Sequence, residues 1–477
     1  MWSTLTGAVY PCLMALVAGV DSSTQSVKVV IRDAQSGELI REGRAAHPDG
    51  TEIEPHHWES SLQKALSLAG GLSDVSAISV GGQQHGMVAL GKNGEVLRPA
   101  LLWNDTRSAA AAQDLNREMG GSQAIADVCG SALVAAFTAS KVRWMAEHEP
   151  EIALKVAAIA LPHDWLSWKL QGGADFSLLF TDRSEASGTG YFDPTTSTYR
   201  RDILALALKS DRDIYLPRIV ASSEFAGQTL EGVKIGAGAG DNAGAAFGVQ
   251  AIAGDVVVSL GTSGTAFSVS TTATHDGSGQ VAGFADLTGN YLPLVCTLNA
   301  ARILDAAARI LGVDFDRLSD LALDAPAGAR GLTLLPYFEG ERTPNRPHAT
   351  GVFSGMSLNN SNPENIARAM IEGMLSGLAD AVESLSLQGV AINRIFLVGG
   401  AAKNPALARI ASSLFGREVI IPPAGEYVAD GAARQAAWAL LGEAPRWDLG
   451  KVTHVQSTPT PEVLEKYRRL RDATVDW

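Results

Sequence analysis

A duplicated α/β fold of two domains is predicted by three features of the sequence. The chain has 477 residues, more than one hydrophobic core usually serves. A strand, hydroxyl-rich turn, strand unit, LVAGVD-SSTQ-SVKVVI from Leu16, returns about 240 residues later as DVVVSLG-TSG-TAFSVS from Asp255. After each copy, buried-strand patterns alternate with helical ones, as in a sheet covered by helices. The repeat divides the chain into domains at 14–244 and 245–477, with residues 1–13 as an extension upstream of a second start at Met14.

Residues 16–21 are an apolar run ending in the carboxylate of Asp21, residues 22–25 a small polar turn, and residues 26–32 alternate. With Gly37 turning the chain into residues 38–46, this reads as an antiparallel meander of three strands. Trp58, Leu62, Ala65, Leu66 and Ala69 share one helical face, which Gly70 stops. Residues 75–82 (VSAISVGG) are a buried strand whose end delivers Gln83, Gln84 and His85 into a loop. Residues 101–105 (LLWND) run from strand to loop before an alanine-rich helix, and further helices are expected near 140–147 and 202–208. Residues 181–193 (TDRSEASGTGYFD) have the small, polar composition of an exposed loop.

Residues 234–248 (KIGAGAGDNAGAAFG) place glycines at alternate positions before Asp241 and Asn242. Two readings stay open there. Small residues clear space for a carboxylate to meet a ligand, or Asp241 is the N-cap of a tightly packed helix. In the second half, residues 255–261 form a strand, 262–264 a turn and 265–270 its return, with helices near 299–311 and 363–387. The second of these starts on Asn362 as N-cap and Pro363. Its stripe of Ile366, Met370, Met374, Leu378 and Val382 faces a core. A strand at 394–398 then ends in Gly399 and Gly400, with Asn404 beyond; these supply either a flat wall for a nucleoside or an ordinary helix start.

A formal charge of −13 argues against general affinity for nucleic acid or anionic membranes, and no run of eighteen apolar residues predicts a spanning helix. Three dispersed cysteines without C-x-x-C spacing fit a reducing cytoplasm, and His56-His57 lacks further ligands at metal-binding spacing. Two hydroxyl-rich turns, one per half, are what a nucleoside triphosphate between two domains requires, since turn amides and hydroxyls donate to phosphate oxygens. There is no Walker motif, and Gly238, Gly240 and Ala243 fit the dinucleotide pattern without a βαβ unit. Beside such turns, Asp21 suits a role with hydrated Mg²⁺, and Asp241 suits a base that takes the proton of an attacking hydroxyl.

The motifs GVDSST, GGQQHGM, LLWNDTR, GAGDNAGAA, SLGTSG, GERTP and VGGAAKN occur in this order over nearly the whole chain. Together they resemble the FGGY family of carbohydrate kinases, within the actin/hexokinase/Hsp70 superfamily. The resemblance implies a ribonuclease H-like duplicated fold with the active site in the interdomain cleft. It implies ATP and Mg²⁺, and a sugar phosphorylated at its terminal hydroxyl: a ketopentose, D-xylulose first, with ribulose, gluconate or glycerol as alternatives. By the same resemblance Asp241 is the catalytic base and Asn242 a sugar contact, and Asp21 acts at the Mg-ATP phosphates with Thr24, Gly261 and Thr262 nearby. Gly399, Gly400 and Asn404 would hold adenosine. Lys28 would stand near the phosphates or be an ordinary strand residue, Gln84 and His85 would meet the ketose, and Trp103, Asn104 and Asp105 would wall the sugar. A homodimer in the cytoplasm is the form the family suggests. Two departures stand out: the first turn has Ser23 where many relatives have glycine, and Asp430 stands where relatives often carry an apolar residue. The rival from another class is a nucleotide-dependent binding protein of chaperone or actin type, which would need no base beside a sugar loop.

Overall fold

The computed structural model describes residues 15–475, so the extension at 1–13, with Cys12, lies outside the described residues. The first sheet contains β1 (Leu16–Ser22), β2 (Ser26–Asp33), β3 (Leu39–Ala46), β4 (Val75–Gly82), β5 (Phe225–Gln228), β6 (Lys234–Gly236) and β7 (Ala239–Gly240). Its order is β5-β6-β4-β1-β2-β3, with β7 also on β4. The second contains β8 (Asp255–Leu260), β9 (Gly264–Ser268), β10 (Ala282–Ala285), β11 (Tyr291–Thr297), β12 (Arg394–Val398), β13 (Val419–Ile421) and β14 (Thr453–Val455), in the order β10-β11-β9-β8-β12-β13-β14. The two share one core: β3-β2-β1-β4-β6 matches β11-β9-β8-β12-β13. In both, the first strand runs antiparallel to its hairpin partner and parallel to the strand after the crossover.

The meander expected at 16–46 is present, and its three strands show graded burial. All of β1 is buried, because strands flank it and helices cover it, which explains its unbroken apolar run. At the sheet edge, β3 is mostly exposed and carries charge. Helices follow at α1 (His56–Leu68), α2 (Ala109–Glu118), α3 (Thr138–His148), α4 (Pro162–Leu170), α5 (Arg183–Ser187), α6 (Arg201–Leu208), α7 (Asp241–Gly248), α8 (Ala301–Leu311), α9 (Pro363–Leu387), α10 (Pro405–Phe415) and α11 (Tyr427–Leu441). The start of α9 is as read from the sequence, with the Asn362 side chain accepting from the Asn365 amide at 3.1 Å. Its buried surface is wider than one stripe: Arg368 and Glu372 are also inside, paired at 2.6 Å.

The expectation of an exposed loop at 181–193 is corrected. Thr181, Asp182, Ser184, Glu185, Ser187 and Thr189 are all buried, and α5 lies within the stretch. Its short polar side chains satisfy the stretch's own backbone, which lets it go inside. Asp182 caps α5 by accepting from the Ser184 and Glu185 amides at 2.8 and 3.0 Å, and the Ser187 and Thr189 hydroxyls donate to Ser184 O and Ala186 O at 2.7 Å each.

The halves are joined by two crossing helices. Although α11 lies between β13 and β14 of the second sheet in the chain, it packs on β1, β4 and α7 of the first half. At the crossing a Cβ on Gly431 would stand 1.9 Å from Gly244 O, so glycine is required for the backbones to meet. An apolar cluster including Met87, Phe137, Phe247, Phe267 and Phe284 continues the contact between halves.

Candidate active site

Asp21 reaches the end of β1 opposite Gly81 of β4 and is 3% exposed. Its Oδ2 accepts from Ser23 Oγ at 3.1 Å and Lys28 Nζ at 3.2 Å, while Oδ1 is buried without a partner. Burial raises its pKa, outweighing Lys28. For Lys28, burial is outweighed in turn by Asp21 and by Glu426 at 2.6 Å, and its pKa is raised. An orphaned carboxylate oxygen at a strand end fits a hydrated divalent cation. Among the described residues no group of three or more His, Cys, Asp or Glu could hold a metal, so a cation here would rely on this one carboxylate, phosphate oxygens and water.

Asp241 is the first residue of α7, and Gly240, not Asp241, is the N-cap. The helix is tightly packed, its first residue is partly exposed, and the expectation of Asp241 as N-cap is corrected, because Gly240 takes that position. Asp241 Oδ1 accepts from the Asn242 amide and from Asn242 Nδ2, each at 2.8 Å, and Oδ2 has no protein donor among the described residues. Burial raises its pKa to about 7. The Gly240 amide donates to Ser184 Oγ at 3.0 Å, and a Cβ on Gly240 would stand 2.8 Å from Gln84 Nε2. Bare backbone at residue 240 therefore lets the Gln84 loop reach the base.

His85 sits in the left-handed region at φ 73°, uncommon for a side chain other than glycine. Its Nδ1 lies 2.6 Å from Gly188 O, so Nδ1 carries the proton and Nε2 is left as an acceptor. Burial pushes the imidazole down to about 3, and it stays neutral. Phe137 and Phe284 hold the ring at centroid distances of 5.0 and 5.5 Å, one from each half. Gln84 Nε2 donates to Ser184 O at 2.8 Å, so its amide braces α5.

Trp103 Nε1 donates to Thr24 Oγ1 at 2.8 Å, joining the expected sugar wall to the expected phosphate turn. Asp105 is largely taken up inside its own loop, accepting from Thr51 at 2.8 Å and from Arg107 N and Nε at 3.0 and 2.9 Å. Asn104, between them, keeps a buried Oδ1 without a partner. In the second half the Gly261-Thr262 turn is exposed to the cleft. Gly399 takes φ 98°, and nothing lies within 4 Å of where a Cβ would stand on Gly400, leaving the flat wall. Asn404 Oδ1 caps α10, accepting from Ala406 N at 3.0 Å and from the Ser319 hydroxyl, so its Nδ2 is what remains for a ligand.

Sequence reading missed the layer beneath. His163 is wholly buried, with Asp164 at 3.0 Å and Asp182 at 3.5 Å. Burial works against its charge, but these carboxylates outweigh it and hold its pKa well above the usual value. Burial keeps Glu185 neutral, its pKa well raised, and neither of its oxygens has a partner. Lys141, also fully buried, has the Ala136 carbonyl as acceptor, and burial lowers it to about 7. No spacing links residues 141, 163 and 185 in sequence. A cavity of about 920 Å³ near Lys92, Leu154 and Tyr215 holds none of the expected site residues.

The model described as the FGGY family of carbohydrate kinases, N-terminal domain, matches residues 16–260, and its C-terminal counterpart matches residues 256–440. The chain is similar to the xylulose kinase of Streptomyces coelicolor, 41% identical over 95% of this chain and 93% of that one. Among solved structures it is similar to the xylulose kinase of Bifidobacterium adolescentis, with 46% identity, a TM-score of 0.89, and coverage of 96% of this chain and 100% of that one. The glycerol kinase of Plasmodium falciparum shares the fold, with a TM-score of 0.83 at 19% identity over 97% of this chain and 99% of that one. The architecture is thus the two-domain actin/hexokinase type.

Proposed function

We propose, because the chain belongs to the FGGY family of carbohydrate kinases, that it transfers the γ-phosphoryl group of ATP to O5 of D-xylulose. The observation that carries this reading is Asp241. Its Oδ2 is free, its pKa is raised to about 7, and it borders a loop whose neutral His85 offers an acceptor. Asp241 takes the O5 proton as the oxygen's electron pair forms the new bond to phosphorus; the bond to the bridging oxygen breaks and its pair leaves with ADP. Such a base contributes typically about 10²–10⁴-fold. Asp21 would hold the water shell of a bound Mg²⁺, which would supply neutralisation of the phosphate charge.

Thr24, Lys28, Gly261 and Thr262 would line the phosphates, and Gly399, Gly400 and Asn404 the adenosine. Asn242, His85, Trp103 and Asn104 would contact sugar, while Gln84 and Asp105 act chiefly by holding the loops that carry them. The likeness to the two xylulose kinases supports D-xylulose over ribulose, gluconate or glycerol. We assign the enzyme, as a homodimer, to the cytoplasm, where ATP is supplied and the buried free thiols of Cys129 and Cys296 stay reduced.

The test is ADP release with D-xylulose, D-ribulose, L-ribulose, L-xylulose, gluconate, glycerol and no sugar, with Asp241→Asn in parallel. D-xylulose should lead in kcat/KM, and the variant should lose at least about a hundredfold. Sugar-independent hydrolysis indifferent to Asp241→Asn would overturn the kinase mechanism, and a lead for another sugar would overturn the substrate.

A further inference from the structure

This inference rests on the kinase reading and deepens it at the same site. We propose that the Arg342 guanidinium, supplied from the second half, is a catalytic group that binds the oxygens of the phosphoryl group in transfer. Arg342 belongs to the GERTP motif at 340–344, which the reading above leaves unused.

Its backbone is fixed from both sides. Glu341, 3% exposed, accepts from Leu298 N at 2.6 Å, Asn299 Nδ2 at 3.0 Å and Arg342 N at 2.7 Å. The Thr343 hydroxyl donates to Cys296 O at 2.9 Å. Cys296 and Thr297 end β11, where they pair with Thr265 and Gly264, the residues that follow directly on the Gly261–Ser263 turn. Arg342 therefore starts beside the phosphate turn. Its charge opposes protonation of both His85 and Lys141, which belong to the sugar side of the cleft. In this reading a phosphoryl group passing from that turn to the sugar loop would pass beside the guanidinium.

The guanidinium is also free. Among the described residues the Arg342 guanidinium forms no ion pair and no side-chain hydrogen bond to an oxygen, and it stands near the Cys296 thiol, whose ionised form its charge favours. The neighbouring cations are committed elsewhere. Lys28 is held between Asp21 and Glu426, Lys141 lies buried on the Ala136 carbonyl, and His85 is neutral. A triphosphate entering a cleft already lined by Asp21 and Asp241 meets repulsion that a part-buried, unpaired guanidinium is suited to offset. As the bond to O5 forms and the bridging bond breaks, charge spreads over oxygens that a planar fork of N–H donors can hold at two points.

The experiment measures kcat and both KM values by ADP release with D-xylulose and MgATP for the full-length enzyme, Arg342→Gln, Arg342→Lys and Arg342→Ala, the last with added guanidinium chloride. Sugar affinity by calorimetry and thermal unfolding are recorded for each. We expect Arg342→Gln to lower kcat by about 10²–10³-fold with both KM values and sugar affinity within about threefold of wild type. Arg342→Lys should fall between, and guanidinium should restore part of the Arg342→Ala rate. Should Arg342→Gln fail to fold, Arg342→Lys decides, with at least about a tenfold loss of kcat expected. A kcat within about threefold of wild type, or a loss confined to KM, overturns the role of Arg342 while wild-type turnover leaves the kinase reading standing. A wild type that turns over no sugar removes both.

Discussion

At Asp241 the requirements of catalysis and of folding oppose each other. Burial raises its pKa from 3.8 to about 7, so the folded chain holds the proton more tightly than the unfolded one. The resulting stability is complete below about 3.8 and is lost as pH rises through about 7. A base must be ionised, so kcat/KM should instead rise with pH through about 7 and then level. His85, pushed down to about 3, adds no limb between pH 5 and 9. Lys141, lowered to about 7, titrates in the same window. Lys141→Met should therefore keep the limb, while Asp241→Asn should abolish it in the residual rate. Asp241→Asn should also melt higher at pH 8, by about 1–2 kcal/mol of stability, and not at pH 4; a flat pH profile in the wild type would remove the base. Residue type placed a carboxylate after alternate glycines, which suits a ligand-facing group and a helix N-cap alike, and only the helix start decided against the cap. At Asp105 and Asn404 residue type does not separate the uses, because capping and loop anchoring call for the same side chains as ligand binding.

Elements were legible where periodicity is local. The meander at 16–46 and the start of α9 follow from alternation, turn residues and an Asn-Pro start. Residues 181–193 misled because small polar residues suit an exposed loop and a self-satisfying buried turn equally, and only the neighbours decide. The unexpected Asp430 finds its reason in another element. On α11 of the second half, its Oδ1 lies 2.8 Å from Arg32 Nε and 2.7 Å from Arg32 Nη2 of β2 in the first, with side-chain exposures of 10% and 18%. Removing one partner strands a largely buried charge. Asp430→Ala should cost about 1–3 kcal/mol in urea unfolding, short of the 3–5 typical of fully buried pairs. Adding Arg32→Met should recover part of that loss; a double variant no more stable than Asp430→Ala would show that the pair does not carry it.

For the whole molecule, the duplication could be read from two strand-turn-strand units, but the joint between the copies could not. It depends on Gly244 and Gly431, 187 positions apart, meeting in space, and no local pattern encodes that contact. At the crossing the backbones touch at Gly244 and Gly431, and beside it Phe247 of α7 stacks on Trp438 of α11 at 5.8 Å, so the halves turn about that point only as those rings slide. Asp241 heads one of the two helices, whereas the Gly261-Thr262 turn belongs to the other sheet. Any rotation at the joint therefore changes the distance between base and phosphate, and in-line positioning of the two substrates is worth more than the base itself, about 7–11 kcal/mol against roughly 3–5. Closure should need both substrates, since each engages one side of the cleft. In solution scattering, the radius of gyration should fall with D-xylulose and a non-hydrolysable ATP analogue together, and by less with either alone. Gly431→Ala, whose Cβ would overlap the Gly244 carbonyl, should reduce that change and alter kcat and KM together. An unchanged radius with both ligands, at a wild-type turnover rate, would place the catalytic geometry in the resting arrangement and leave the joint a purely structural contact.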